Sequence, residues 1–196
     1  MILTRENALD ILKKHLQNKN LINHCLCVEA SMRGLARVLK NKNQKGEIHT
    51  EVWAMAGLLH DADWEATQSD PSKHTSKTIE WIKDTGENDQ ELIDCILTHN
   101  YEHNGFRAPE SPMEWALFTC DELTGLIVAV ALVRPEKKLS LVSVRSVLKK
   151  FPMSAFAAGV DREKIKLCEE KLGIPLEEFA EIVLKSMQQI AGEIGL

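Results

Sequence analysis

Apolar residues recur at helical spacing from the start of the chain. Ala8, Leu9, Ile11, Leu12 and Leu16 share one face behind Thr4, a residue type that caps helices, and predict a first helix. Asn18 to Asn20 interrupt the pattern. A second helix is expected from about Ile22 to Leu39, with Leu35, Val38 and Leu39 on its buried side. The polar run at 40–47, with Gly46 free to take positive φ, reads as a solvated loop. A third apolar helix, at roughly 49–59, ends in Leu58-Leu59-His60-Asp61.

Beyond a polar connection at 63–73, Ile79, Trp81 and Ile82 mark a helix that stops near Gly86. Leu92, Ile93, Ile96 and Leu97 mark another at 89–98, and a loop is expected at 100–112. Ser111-Pro112-Met113-Glu114 is the clearest helix start, with Ser at the cap, Pro at the first position and Glu at the third. That helix should run to Val133. Its last part, from Leu123, is apolar nearly all round, which suits the central helix of a bundle. A run of that length is too short for a bilayer, which needs about twenty residues. Three more helices are expected at 142–150, 161–171 and 175–192, the last with Pro175 at its first position. No alternating strand pattern and no repeat is present, so the fold class expected is all-α, one helical bundle over 1–196.

Composition narrows the partners. With 196 residues, 44% of them hydrophobic, the chain can bury one sizeable core. A net charge of −5 disfavours duplex nucleic acid, and 5% aromatic residues disfavour a stacking platform for single strands. A small phosphorylated substrate needs only local positive charge. The five cysteines (Cys25, Cys27, Cys95, Cys120 and Cys168) are odd in number and scattered, so they read as buried reduced thiols. Arg5, Glu6 and Asp10 break up any apolar leader, and the expected compartment is the cytosol, with no membrane partner.

The chemistry lies in an ordered series of histidines and acids. His24 sits near the start of the second helix, His60-Asp61 ends the third, and His74 opens the fourth. His99 closes the fifth and Asp121 lies inside the sixth. Adjacent His and Asp offer mixed nitrogen and oxygen donors suited to Mn, Fe, Co, Ni or Zn. Asp121 precedes the most apolar run, where an ionised carboxylate is costly unless paired or bound to metal. An outward-facing Asp121, or one paired with a lysine, is the alternative. His15, His49 and His103 read as surface residues.

This series, with the Leu-Leu-His-Asp context and Cys120-Asp121-Glu122-Leu123-Thr124-Gly125, resembles the HD superfamily of metal-dependent phosphohydrolases. The motifs cover about residues 20–135. The segment Phe156-Ala157-Ala158-Gly159-Val160-Asp161-Arg162-Glu163 resembles the tail of uncharacterised bacterial members. The resemblance implies an HD-type helical domain with metal ligation by His24, His60, Asp61 and Asp121. His74 and His99 occupy the interval where dinuclear members add two histidines, and Asp61 is the residue placed to bridge two ions. It also implies hydrolysis of a phosphomonoester or phosphodiester, with a nucleotide favoured, by water that the metal activates at His60-Asp61. Asp63 or Glu122 could orient a ligand or the water. Arg107 is the preferred phosphate-binding cation, followed by Lys77, with Arg134, Lys149 and Lys150 as further options and the helix after Pro112 assisting through its dipole. Two other functions stay open: a di-iron oxygenase of the same fold, which needs all six ligands, and a non-catalytic nucleotide-sensing module.

Overall fold

The computed structural model describes residues 2–42 and 47–196, and no strand occurs among them. Helix α1 (Arg5–His15) begins where Thr4 accepts from the Asn7 amide, and it buries Ala8 and Leu12. Helix α2 (Lys19–Asn41) starts earlier than expected, because Asn18 caps rather than breaks it. The Asn18 side chain accepts from the Asn20 amide, satisfying a donor that a helix start leaves without a partner. Gly46 lies outside the described residues.

Helix α3 (Thr50–Leu59) is buried on nearly every side and packs along α2. Gly57 makes this approach possible. A Cβ there would lie 2.8 Å from the Val28 carbonyl oxygen and 2.9 Å from the Glu29 amide, so the two backbones touch. Val28 is one turn from His24 and Gly57 is one turn from His60, so this contact brings the two histidines together.

The expected polar connection after Asp63 contains a single-turn helix, α4 (Trp64–Thr67), and a 3₁₀ turn at Pro71–Lys73. Helices α5 (Ser76–Asp84) and α6 (Gln90–His99) follow, α6 capped by Asp89. A further single turn, α7 (Tyr101–Asn104), sits within the expected loop. Such short pieces carry no readable periodicity.

Helix α8 (Pro112–Leu132) opens with the full capping box of Ser111 and Glu114. By length and composition it could cross a membrane, but 61% of its apolar window is buried inside the protein. Leu123, Leu126, Ile127, Val130 and Ala131 are buried, whereas Leu132 and Val133 emerge at the surface. Helices α2, α3 and α6 pack against α8.

Helix α9 (Val144–Lys150) starts after Ser143, not at Val142. Helix α10 (Arg162–Leu172) packs on α8 and α11 (Leu176–Gln189) on α2. Pro175 is the extended residue before α11 instead of its first helical residue, and a separate turn, α12 (Ala191–Ile194), ends the chain. One continuous apolar core runs from Leu3 to Ile194. All five cysteines are free and buried within it, and burial pushes the Cys27 thiol up to about 12.

Gly57→Ala should lower stability by about 1–3 kcal/mol through overpacking against the α2 backbone. Gly192→Ala, where an added Cβ meets nothing within 4 Å, should be neutral or slightly stabilising. Urea denaturation midpoints check both; equal midpoints would contradict the backbone contact.

Candidate metal centre

Six groups from five segments meet at one point. His24 comes from the first turns of α2, His60 and Asp61 from the end of α3, and His74 from the turn before α5. His99 is the last residue of α6 and Asp121 sits mid-way along α8. His24 Nε2 is 2.9 Å from Asp121 Oδ1 and 3.7 Å from Asp61 Oδ2. His60 Nε2 lies 3.6 Å from each of the same two oxygens. On the other side, His74 Nε2 is 3.1 Å from Asp61 Oδ1, and His99 Nε2 is 3.7 Å from Asp61 Oδ1 and from Asp121 Oδ2. Each carboxylate therefore turns one oxygen to His24 and His60. Asp61 turns the other to His74 and His99, and Asp121 turns its other to His99. Ligand atoms of His24, His60 and Asp121, and of His60, Asp61 and His99, lie within 4.8 Å of one another.

The surrounding hydrogen bonds fix which ring nitrogens face this point. His60 Nδ1 lies 2.9 Å from the Gly57 carbonyl, and His74 Nδ1 lies 2.7 Å from Asp63 Oδ1. Both are donor positions, so once its second proton is lost each ring presents the Nε2 lone pair on the side of the carboxylates. His60 Nε2 and His74 Nε2 are buried without a hydrogen-bond partner. Unpartnered buried polar atoms are rare and demand a cause. Two such atoms beside two carboxylates fit a divalent transition-metal ion, whose donor preferences match imidazole and carboxylate.

Asp63, fully buried, organises the turn that carries His74. Besides the imidazole it accepts from the amides of Thr75, Lys77 and Thr78 at 3.0–3.2 Å, and so caps α5 from a distance. Thr75 is held at φ 81°, a left-handed conformation that β-branched residues avoid. Asn100 braces the same turn from α6, donating to the carbonyls of Pro71 and His74. Sequence spacing offered Asp63 only as one of two supporting acids and gave no sign of the Asn100 role.

Burial sets the electrostatics, and the counter-charges decide its outcome. Burial lowers the His60 imidazole, but Asp61 and Asp121 outweigh it and leave His60 raised to about 9. His74 also reaches about 9 against burial, through Asp61 and Asp63. His99 is lowered to about 3, first by burial and then by the His60 charge. Burial raises Asp61 and Asp121, yet the imidazoles hold both well below the usual carboxylate range.

Four of the six groups, Asp61, His74, His99 and Asp121, line a pocket of about 310 Å³ whose walls include Trp64, Phe118, Glu122 and Lys164. A cavity of about 670 Å³ between α2 and α11 contains none of the six groups. Two expected phosphate ligands do not reach the pocket. Arg107 is bound bidentately by Glu114 at 2.8 and 2.9 Å and also pairs with Asp94, so its charge serves the buried capping acid at the start of α8. Lys77 is exposed and does not line the pocket. Arg134, Lys149 and Lys150 also lie away from the pocket lining, and the Glu114 amide in the first turn of α8 donates to the Ser111 hydroxyl. The pocket's lysine is Lys164, in a segment from which no chemistry was expected. His103, expected at the surface, is exposed on the pocket rim.

The protein is thus an all-helical chain with a candidate His₄Asp₂ metal centre. No family model matches the chain and no solved structure matches it. Over 56 residues it is 43% identical to an uncharacterized protein of Methanocaldococcus jannaschii, a stretch covering 29% of this chain and 31% of that protein. The chain therefore spans about a third of that relative's length.

Asp63→Asn should weaken metal binding about 10–100-fold by loosening His74; competition with a chelating dye measures it, and an unchanged affinity would remove Asp63 from this role. Because His60 and His74 hold protons up to about pH 9 in the metal-free protein, metal must displace them. Affinity should then rise from pH 6.5 to 9 with proton release, readable by calorimetry in buffers of different ionisation enthalpy.

Proposed function

We propose that this chain is an HD-type, metal-dependent phosphohydrolase acting on a small phosphate ester, with a nucleotide the favoured substrate. The observation that carries this reading is the convergence of His24, His60, Asp61, His74, His99 and Asp121 on one point beneath a pocket, with two buried imidazole nitrogens left without a hydrogen-bond partner. The reading assigns one ion to His24, His60, Asp61 and Asp121, and a second to His74 and His99 with Asp61 bridging. When bound, the metal supplies Lewis-acid polarisation of a phosphoryl oxygen and a lowered pKa for water near neutral pH.

The chain's own residues do the rest. Asp61 and Asp121 stay ionised before metal enters, balanced by the protonated imidazoles of His60 and His74. Asp63 and the Gly57 carbonyl orient two imidazoles. Trp64 and Phe118 form apolar walls beside the centre. Five free buried thiols suit a reducing compartment, and the cytosol is the proposed location.

One observation keeps a second reading alive. His74 and His99 both point into the site, and a di-iron oxygenase of this fold would need both. A purely sensory module is the weaker alternative, because it has no need for a complete ligand set.

Protein purified without chelator should carry one or two transition ions per chain. It should hydrolyse at least one member of a panel of mono-, di- and cyclic nucleotides, sugar phosphates and an aryl phosphate. Asp61→Ala should reduce turnover to background; activity surviving that change would sink the hydrolase reading. An iron chromophore with oxygen consumption would favour the oxygenase instead.

A further inference from the structure

We infer that Lys164, with Glu102 as its exchangeable counter-ion, is the phosphate-recognition residue of the site and divides it into two compartments. This rests on the phosphohydrolase reading for its substrate class. It concerns a part of the chain, the C-terminal third, that carries none of the metal ligands.

Lys164 lies on the first turn of α10 and reaches the pocket over the face of Phe118, with Nζ 4.7 Å from the ring centroid. Its ammonium pairs with Glu102 from α7. Beyond this pair lies a second depression of about 420 Å³, lined by Tyr101, Lys166 and Leu167 among others. Glu102, Phe118 and Lys164 line both spaces, so the ion pair stands between the metal-side pocket and the outer groove. The inner space of about 310 Å³ is at the lower end for a small-molecule site, of the order of 300–1,000 Å³. A phosphate ester would place its phosphoryl group between the metal centre and Lys164. Its organic part would run past Phe118 into the outer groove.

The chain invests in holding Lys164 there. Arg162 donates to five carbonyls, those of Phe151, Met153, Phe156, Ala157 and Val160, and so closes the turn before α10 on itself. The Asp161 amide then donates to Glu122 at 2.9 Å, tying this turn to the residue beside Asp121. Val160 packs over Gly125, 3.6 Å from where a Cβ would sit. Burial lowers the Lys164 ammonium, but Glu102, Glu122 and Asp161 outweigh it, and the group stays charged.

The test is calorimetric titration of the full chain, in Mn²⁺ buffer, with inorganic phosphate. Lys164→Met keeps the stem over Phe118 and should weaken phosphate binding about tenfold, the scale of one charge-assisted hydrogen bond. Glu102→Gln frees the ammonium and should tighten binding about two- to fivefold. Lys171→Met, on the same helix but lining neither space, should change nothing. Lys164→Arg should restore part of the loss. Melting temperatures and metal content of all variants are compared with wild type to show that the centre is intact. Phosphate binding by Lys164→Met equal to wild type, or no phosphate binding by wild type, would overturn the inference. The expected binding pattern without hydrolysis of any ester would leave Lys164 standing and remove only the hydrolase reading. Hydrolysis with an unchanged KM in Lys164→Met would do the reverse.

Discussion

Two carboxylates, Asp61 and Asp121, sit where apolar helices converge, and the rest of the structure answers that placement. An ionised carboxylate taken from water into such surroundings costs several kcal/mol unless opposite charge or hydrogen bonds replace the water. Four imidazoles supply those partners here, and none comes from the same helix as Asp121. The partners can meet the carboxylates only if α2, α3, α6 and α8 end or cross at one place. The bare backbone contact at Gly57 is part of that arrangement, since any side chain there would push α2 and α3 apart.

Around this cluster the fold spends polar groups on rigidity. Asp63 gives its buried carboxylate to one imidazole and three backbone amides, and it holds Thr75 in a conformation that residue would not choose alone. Arg162 does comparable work at the pocket's other wall, gathering five carbonyls of an irregular turn. Neither residue faces the centre as a ligand. Both decide where a residue that does face the pocket will stand, His74 in one case and Lys164 in the other. A metal site and its substrate wall need positions held more tightly than loops alone provide.

Much of this was legible in the order of residues. Helical periodicity marked the principal helices, and the Ser111 box marked the start of α8 where the structure has it. The His24, His60-Asp61 and Asp121 series was visible as ionisable groups set against apolar runs, and the structure brings all four together with His74 and His99. Legibility failed where the partner is distant. Arg107 looked free because Glu114 was read only as a capping residue, and its burial could not be seen from spacing. Lys164 was not among the cations singled out, because nothing local tells that α10 lies against α8. Asn18 looked like a breaker because a capping side chain and a breaking one share the same composition.

The sequence by itself determined the all-helical class and the apolar faces, because these depend on short-range periodicity, and it offered the six groups as an ordered series of histidines and acids. Tertiary structure alone decided which oxygen meets which imidazole, that Asp63 rather than a loop fixes His74, and that the pocket's positive charge is Lys164. Those outcomes depend on packing between segments far apart in the chain. A side chain's charge is known from its type, but whether it is spent on a neighbour or left for a ligand is settled only by what folds against it.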